Sequence, residues 1–270
     1  MGVLPALAIV LLIDQVSGSQ AAPRRLVPGW LGSVSSGASG AVGAQAHDIQ
    51  DEITSLLTTL IPEVSKSEKG IAVQPPSLQS RRFVHDRLLQ IANKSEEGRS
   101  LVVRASVDVV AQGVVETLVR DNKWTVAVNV LGDLKASEAV ECLVKNLNET
   151  GGDLVISIHY QPVMEALEKI GKSAVPRLIE ALSDDNSAIR LKAGLTLVRI
   201  GKPAVGKLED ALRDGNAETK GGAALALAYI GSRRARAAVR NAIERETDAG
   251  ILAKLKEAQQ AGCLRWGDCK

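Results

Sequence analysis

Aromatic side chains are nearly absent from this 270-residue chain: one Phe, two Tyr and three Trp. A chain so poor in flat rings has little with which to stack on a base, a sugar or a planar cofactor, which argues against those ligand classes. Charge of one sign is missing too. Thirty-three basic residues face 31 acidic ones, a net of +2, so no global attraction to nucleic acid or membrane is expected. Histidine occurs only three times and cysteine three times, and no apolar run reaches the ~20 residues a membrane span needs. What is abundant is small aliphatic side chain. Apolar residues make up 45% of the chain, and with so few aromatics they are mainly Ala, Val, Leu and Ile, suited to close helix-on-helix packing.

The first residues bear on compartment. Val3 to Ile13 is an apolar run of 11 residues broken by Pro5, and a polar stretch follows with Ser19 and Ala21 at −3 and −1 of a cleavage site. That is the layout of a secretory signal peptide over residues 1–21, although no Lys or Arg precedes the run. The alternative is an N-terminal helix of the domain. No cysteine follows the run to carry a lipid anchor. Cysteine placement agrees with export. Cys263 and Cys269 sit near the C-terminus with five residues between them, where a disulfide is expected, since the tail offers no His and no third Cys for zinc. Cys142 stands alone in an apolar helical pattern, as a small buried hydrophobe would.

Residues 22–47, rich in Gly, Ser and Ala, have the composition of a disordered linker. Helices of uncertain assignment are expected over 48–100. Ile49, Ile53, Leu56, Leu57 and Leu60 recur at helical spacing before Pro62, and Arg81 to Ala92 carries Phe83, Val84, Leu88 and Ile91 on one side. Between them lies a Pro/Ser/Lys-rich stretch. Leu101 to Val119, rich in valine, reads as one or two helices.

Beyond this the chain repeats itself. Leu167-x-x-Ile170-Gly171-Lys172-Ser173-Ala174-Val175, with Leu178, Ile179 and Leu182 and then Asp184-Asp185-Asn186, returns thirty residues later. The second copy is Leu197-x-x-Ile200-Gly201-Lys202-Pro203-Ala204-Val205, with Leu208, Ala211 and Leu212, then Asp214-Gly215-Asn216. A third copy opens with Leu227 and Ile230-Gly231, and a looser one lies upstream from Leu131 to Leu147. Each unit reads as a helix pair. Gly171, Gly201 and Gly231 close helices where a positive φ is needed, Pro203 falls at a helix start, and Asn186 with Ser187 caps the next helix. Ile189, Ala193, Leu195, Leu197 and Ile200 then build the second helix. One pair cannot bury its own faces, so the pairs must stack.

This pattern resembles the short HEAT repeats named after phycobilisome lyases, closely over 170–231 and loosely over 114–170 and 232–261. The resemblance implies an all-α fold, a right-handed α-solenoid of helix pairs over 101–262, with a tail at 263–270. It also brings two enzymatic relatives to check. Deoxyhypusine hydroxylases carry His-Glu pairs that hold two irons, whereas the histidines here are followed by Asp48, Asp86 and Tyr160. Bilin lyases have no diagnostic residue in this chain. Gly201 to Lys207 fits G-x-x-x-x-G-K, but Leu208 replaces the required Ser or Thr and a helix precedes it where a strand is needed. No catalytic site, metal or cofactor is therefore expected.

The expected role is a non-enzymatic protein-interaction scaffold of a secreted, periplasmic or envelope compartment, binding a protein partner and no nucleic acid; the alternatives are an enzyme of the bilin lyase or di-iron hydroxylase type and a purely structural module of an envelope assembly. Second helices in such repeats line the concave side, which nominates Lys192, Glu218 and Lys220 as contacts. Arg190 is set aside as a structural partner of the turn carboxylates. Arg233, Arg236 and Arg240 lie at i, i+3 and i+7, one stripe of a helix, within a segment (232–270) holding nine basic and five acidic residues. The stripe is either an anionic partner surface or a solvated face.

Overall fold

A computed structural model describes residues 39–61, 63–67, 70–74, 76–112, 122–148 and 162–266. The expected signal peptide, most of the linker, and Cys269 lie outside them.

Helix α1 spans Ser39–Thr58. The disordered linker expected through residue 47 therefore stops earlier: from 39 onward Ala41, Ala44 and Ala46 favour helix strongly enough to continue the apolar repeat of Ile49 and Ile53 backwards. An antiparallel hairpin follows, β1 (Glu63–Ser67) and β2 (Gly70–Gln74), in register Val64↔Val73 and Lys66↔Ile71. It departs from the all-α expectation. Its β-branched residues are few, Val64 in the first strand and Ile71 and Val73 in the second, and Val64 pairs with Val73 across the hairpin.

The remaining helices are α2 (Leu78–Lys94), α3 (Glu96–Ala111), α4 (Asn122–Asp133), α5 (Val140–Lys145), α6 (Pro162–Ile170), α7 (Val175–Glu180), α8 (Ser187–Ile200), α9 (Val205–Asp214), α10 (Ala217–Ile230), α11 (Arg233–Arg245) and α12 (Ala249–Trp266). The tail expected from 263 begins as the last turn of α12. Packing sorts these helices into two layers. In one, α2, α4, α6, α8, α10 and α12 each touch the next. In the other, α3, α5, α7, α9 and α11 do the same, and α3/α4, α5/α6, α7/α8, α9/α10 and α11/α12 are pairs across the layers. We call them the even and odd layers. This is a stack of helix pairs, a helical-repeat solenoid.

The thirty-residue period is written in burial. Leu167, Leu197 and Leu227 are fully buried; so are Leu178 and Leu208, and Ala174 and Ala204. Each such leucine contributes roughly 1.5–3 kcal/mol through removal from water. Gly171, Gly201 and Gly231 have φ of 71°, 72° and 65°, as the sequence predicts. Helix starts are capped by side chains. Asn186 accepts from the Ala188 amide, Asn216 from the Thr219 amide and Ser232 from the Ala235 amide. Ser95 alone joins α2 to α3, its Oγ accepting from the Gly98 amide at 3.0 Å. A Cβ on Gly98 would stand 2.5 Å from the Ile91 carbonyl oxygen, so only glycine permits that tight join.

In the upstream unit the chain does something the sequence does not announce. The position equivalent to the closing glycines is Lys135, at φ 50°. The Ala136 amide reaches back to the Leu131 carbonyl and that of Lys135 to Gly132, closing α4 as a glycine would. Gly132 serves packing instead: a Cβ there would lie 2.7 Å from Ala166 Cα in α6.

Candidate interaction surface

Two apolar residues expected in the core are on the surface. Phe83 is 64% exposed and Leu195 is 47% exposed. Leu195 shows why. From Ile189 to Leu197 the apolar residues of α8 alternate, and residues two apart on a helix point about 200° from each other. Ala193 and Leu197 take the buried side, so Leu191 and Leu195, one turn apart, are left on the outer side. In α10 the same split buries Leu227 and exposes Leu225, thirty residues after Leu195 and in the same register. Leu78, Phe83, Leu191, Leu195 and Leu225 are the large exposed hydrophobics on helices among the described residues, and all five belong to the even layer.

The charges around these leucines are mostly bound to one another across neighbouring helices. Arg199 of α8 pairs with Glu168 of α6 at 2.6 Å, and Lys254 of α12 with Glu218 of α10 at 2.5 Å. Lys169 of α6 reaches Asp133 of α4 at 2.6 Å, and His85 of α2 lies 2.8 Å from the other oxygen of the same carboxylate. Burial pushes the Asp133 carboxyl up, but the hydrogen bonds from Lys169 and His85 outweigh it and hold the group below the usual carboxylate value.

The nominated contact residues divide accordingly. Lys192 is half-buried beside Leu191, and loss of solvent lowers its ammonium pKa. Glu218 is exposed, and its bond to Lys254 lowers its pKa. Lys220 is not an exposed residue: its side chain is 17% exposed and bound at 2.8 Å to Glu246, just before α12. Arg190 ties its own turn rather than the next repeat, donating to the backbone carbonyls of Asp184 and Asp185 and not to their carboxylates. Leu191, Leu195 and Leu225 were missed, because a leucine in a helical repeat reads as core. The signal that could have found them is the alternation along α8.

On the odd layer, Arg233, Arg236 and Arg240 are all exposed on α11, while Arg234 between them grips Glu209 of α9 with both carboxylate oxygens engaged. Cys263 lies on α12, half-buried, and its expected partner Cys269 is outside the described residues. Cys142 is half-buried, and burial raises its thiol pKa. Among the described residues no three His, Cys, Asp or Glu side chains gather as a metal would require, and no helix is long and apolar enough to cross a membrane.

No family model matches the chain, and none of the curated proteins does. Several solved structures are similar. One is the complex of CpcE and CpcF of phycocyanin lyase from Nostoc sp. PCC7120, at 16% identity over 90% of this chain and 99% of that one, with a TM-score of 0.31. Human deoxyhypusine hydroxylase in complex with glycerol gives 16%, 85%, 93% and 0.25. A designed armadillo repeat protein gives 15%, 77%, 99% and 0.27. These likenesses concern the helical-repeat fold and not the activity.

Proposed function

We propose that this protein is a non-enzymatic scaffold of an exported compartment that binds a protein partner through the outer face of its even layer. The observation that carries the reading is the pair Leu195 and Leu225. They hold one register position in two successive repeats, both exposed, while the residues two positions away are buried. With 47% and 40% of their surfaces exposed, Leu195 and Leu225 each forgo on the order of 1 kcal/mol of burial, and ordered apolar exposure of this kind marks interaction surfaces. The flanking charges already have partners within the stack, so recognition rests on apolar contact, with Lys192 and Glu218 at its rim. The N-terminal apolar run supports export, and the Cys263–Cys269 disulfide belongs to the same reading.

The test is a comparison of wild type with Leu195→Asp/Leu225→Asp as bait in the native extract. The captured protein is identified by mass and its affinity then measured with purified components. We expect affinity to fall at least about tenfold, since truncating a buried interface anchor costs on the order of 2 kcal/mol, while the circular dichroism melt stays close to wild type. Equal affinity for both baits overturns the proposal. Metal analysis and an absorbance scan of the purified protein test its non-enzymatic part, because bound iron or pigment would contradict it.

A further inference from the structure

The leucine face is small and has edges. On α8 it presents Leu191 and Leu195, one turn apart, and on the neighbouring helix α10 it presents Leu225. Toward the N-terminus the same register position on α6 is Glu165, thirty residues before Leu195, so the apolar row stops there. Toward the C-terminus the side chain of Lys254 from α12 lies along Gly221, where a Cβ would meet its methylenes at 3.2 Å, and Glu218 holds its ammonium. The row is therefore two helices wide. With Leu191, Leu195 and Leu225 exposing 60%, 47% and 40% of their surfaces, it offers roughly 200 Å² of apolar area. A stable complex between two folded surfaces needs about 800 Å² from each partner. Such a contact would have to find most of its area among the paired charges around the leucines.

Those charges narrow the occupant further. Both signs are joined across the layer, Glu168 to Arg199 and Glu218 to Lys254, so no strongly charged chain is drawn to this face. The face is made of helix side chains, and helix backbones bond within themselves. An extended segment would find no edge there for its own amides and carbonyls, whereas a helix arrives with those groups already bonded. Helix residues at i and i+4 lie about 6 Å apart along the axis, and those at i and i+7 about 10.5 Å. The first step matches Leu191 to Leu195, and the second matches the spacing of about 8–10 Å between packed helices that separates Leu195 from Leu225. From this geometry we infer that the leucine face seats one amphipathic helix of the partner, crossing α8 and α10 with large aliphatic residues at i, i+4 and i+7. This depends on the reading of that face as a binding surface, and adds the form of what binds. A second copy of the chain is the competing occupant, and the small apolar area disfavours it.

The experiment uses the full chain and three synthetic peptides of about 18 residues, long enough to hold a helix. The first is an amphipathic helix with leucines at i, i+4 and i+7 and equal numbers of Lys and Glu on its other face. The second has the same composition in an order that leaves no apolar face. The third is the first with one central residue of the polar face replaced by proline. Fluorescence anisotropy follows binding, and sedimentation velocity follows the chain alone. We expect the first peptide to bind at least about tenfold tighter than the other two, with less than about a twofold change between low and high salt. Leu195→Asp/Leu225→Asp and Leu191→Ser/Leu195→Ser should each weaken it about tenfold or more while keeping the wild-type circular dichroism spectrum, and either pair suffices if the other misfolds. The chain alone should sediment as a monomer. The inference is overturned if the first peptide fails to bind by about 1 mM, if the scrambled or proline peptide binds as tightly, or if a folded leucine variant binds normally. Self-association of the chain that is lost with Leu195→Asp/Leu225→Asp would overturn it in favour of the second copy. Its failure is separable from that of the leucine face. A captured partner that is lost with Leu195→Asp/Leu225→Asp, beside no preference for the helical peptide, removes the helix alone, whereas indifference of both to the leucines removes the face as well.

Discussion

Lys135 stands where the downstream repeats place glycine, and a side chain in the left-handed region costs roughly 1 kcal/mol. Lys135→Gly should therefore stabilise the protein by up to about 1 kcal/mol, read as a higher urea midpoint. The closing glycines are not equivalent to each other. Gly231 has ψ 8°, a conformation asparagine tolerates, whereas Gly201 has ψ −131° at φ 72°, open to glycine alone. Gly231→Asn should be mild, and Gly201→Asn should lower the midpoint by the equivalent of about 1–3 kcal/mol; equal effects at both sites would refute the distinction. Asp133 sets an acid limit. A carboxyl whose folded pKa is depressed stabilises the fold above its unfolded pKa, near 3.9, and the contribution is lost as pH falls through the folded value. Asp133→Asn should thus be less stable than wild type at pH 7 and should lose less on acidification to pH 3, in denaturant melts at each pH. The glycines were legible in the sequence because their positions recur every thirty residues. Lys135 was not, since its unit has a longer spacing and no glycine to betray it.

At the scale of the helix, α8 separates fold from surface within three residues. Leu197→Asp places a lone charge in the core and should unfold the neighbouring pairs. Leu195→Asp, on a side chain 47% exposed, should leave the far-ultraviolet spectrum and melt nearly unchanged. A collapse of both variants would show that the outer face is packed after all. The ties between pairs differ in the same way. Lys220 and Glu246 are 17% and 12% exposed, against 68% and 27% for Arg234 and Glu209. Glu246→Gln should accordingly lower the urea midpoint further than Glu209→Gln. Neither tie could be read from the sequence, because their partners are 25 and 26 residues apart and only the stacking brings them together. Reversing Glu218 and Lys220 together would disturb two such ties, so charge reversal there does not isolate binding from stability.

Across the whole stack, contacts run between successive helices of each layer and across each pair. Stability is then a sum of units and their interfaces. Amide hydrogen exchange should be slowest in α8 and α10, which have neighbours on both sides, and should quicken toward α12. A chain truncated after Asp248 should lose protection in α10 first, because α12 packs on it more extensively than any other helix does. Uniform exchange across all helices would refute this. The repeat architecture was legible because its period appears in glycine, leucine and asparagine at once. The hairpin was not, since its ten strand residues lack the length to outweigh a composition that reads as loop.

The thirty-residue spacing that brings Leu195 and Leu225 into one register also makes the unit interchangeable. A segment such as Gly171–Ile200 begins and ends at the same joint, and each of its faces meets a face of its own kind. Copying that segment into the chain would add a layer about 10 Å thick without asking for a new core. It would also append one more position to the row of exposed leucines. The length of the binding surface is thus a matter of how many times one sentence of sequence is repeated, and a partner of different reach could be met by duplication alone.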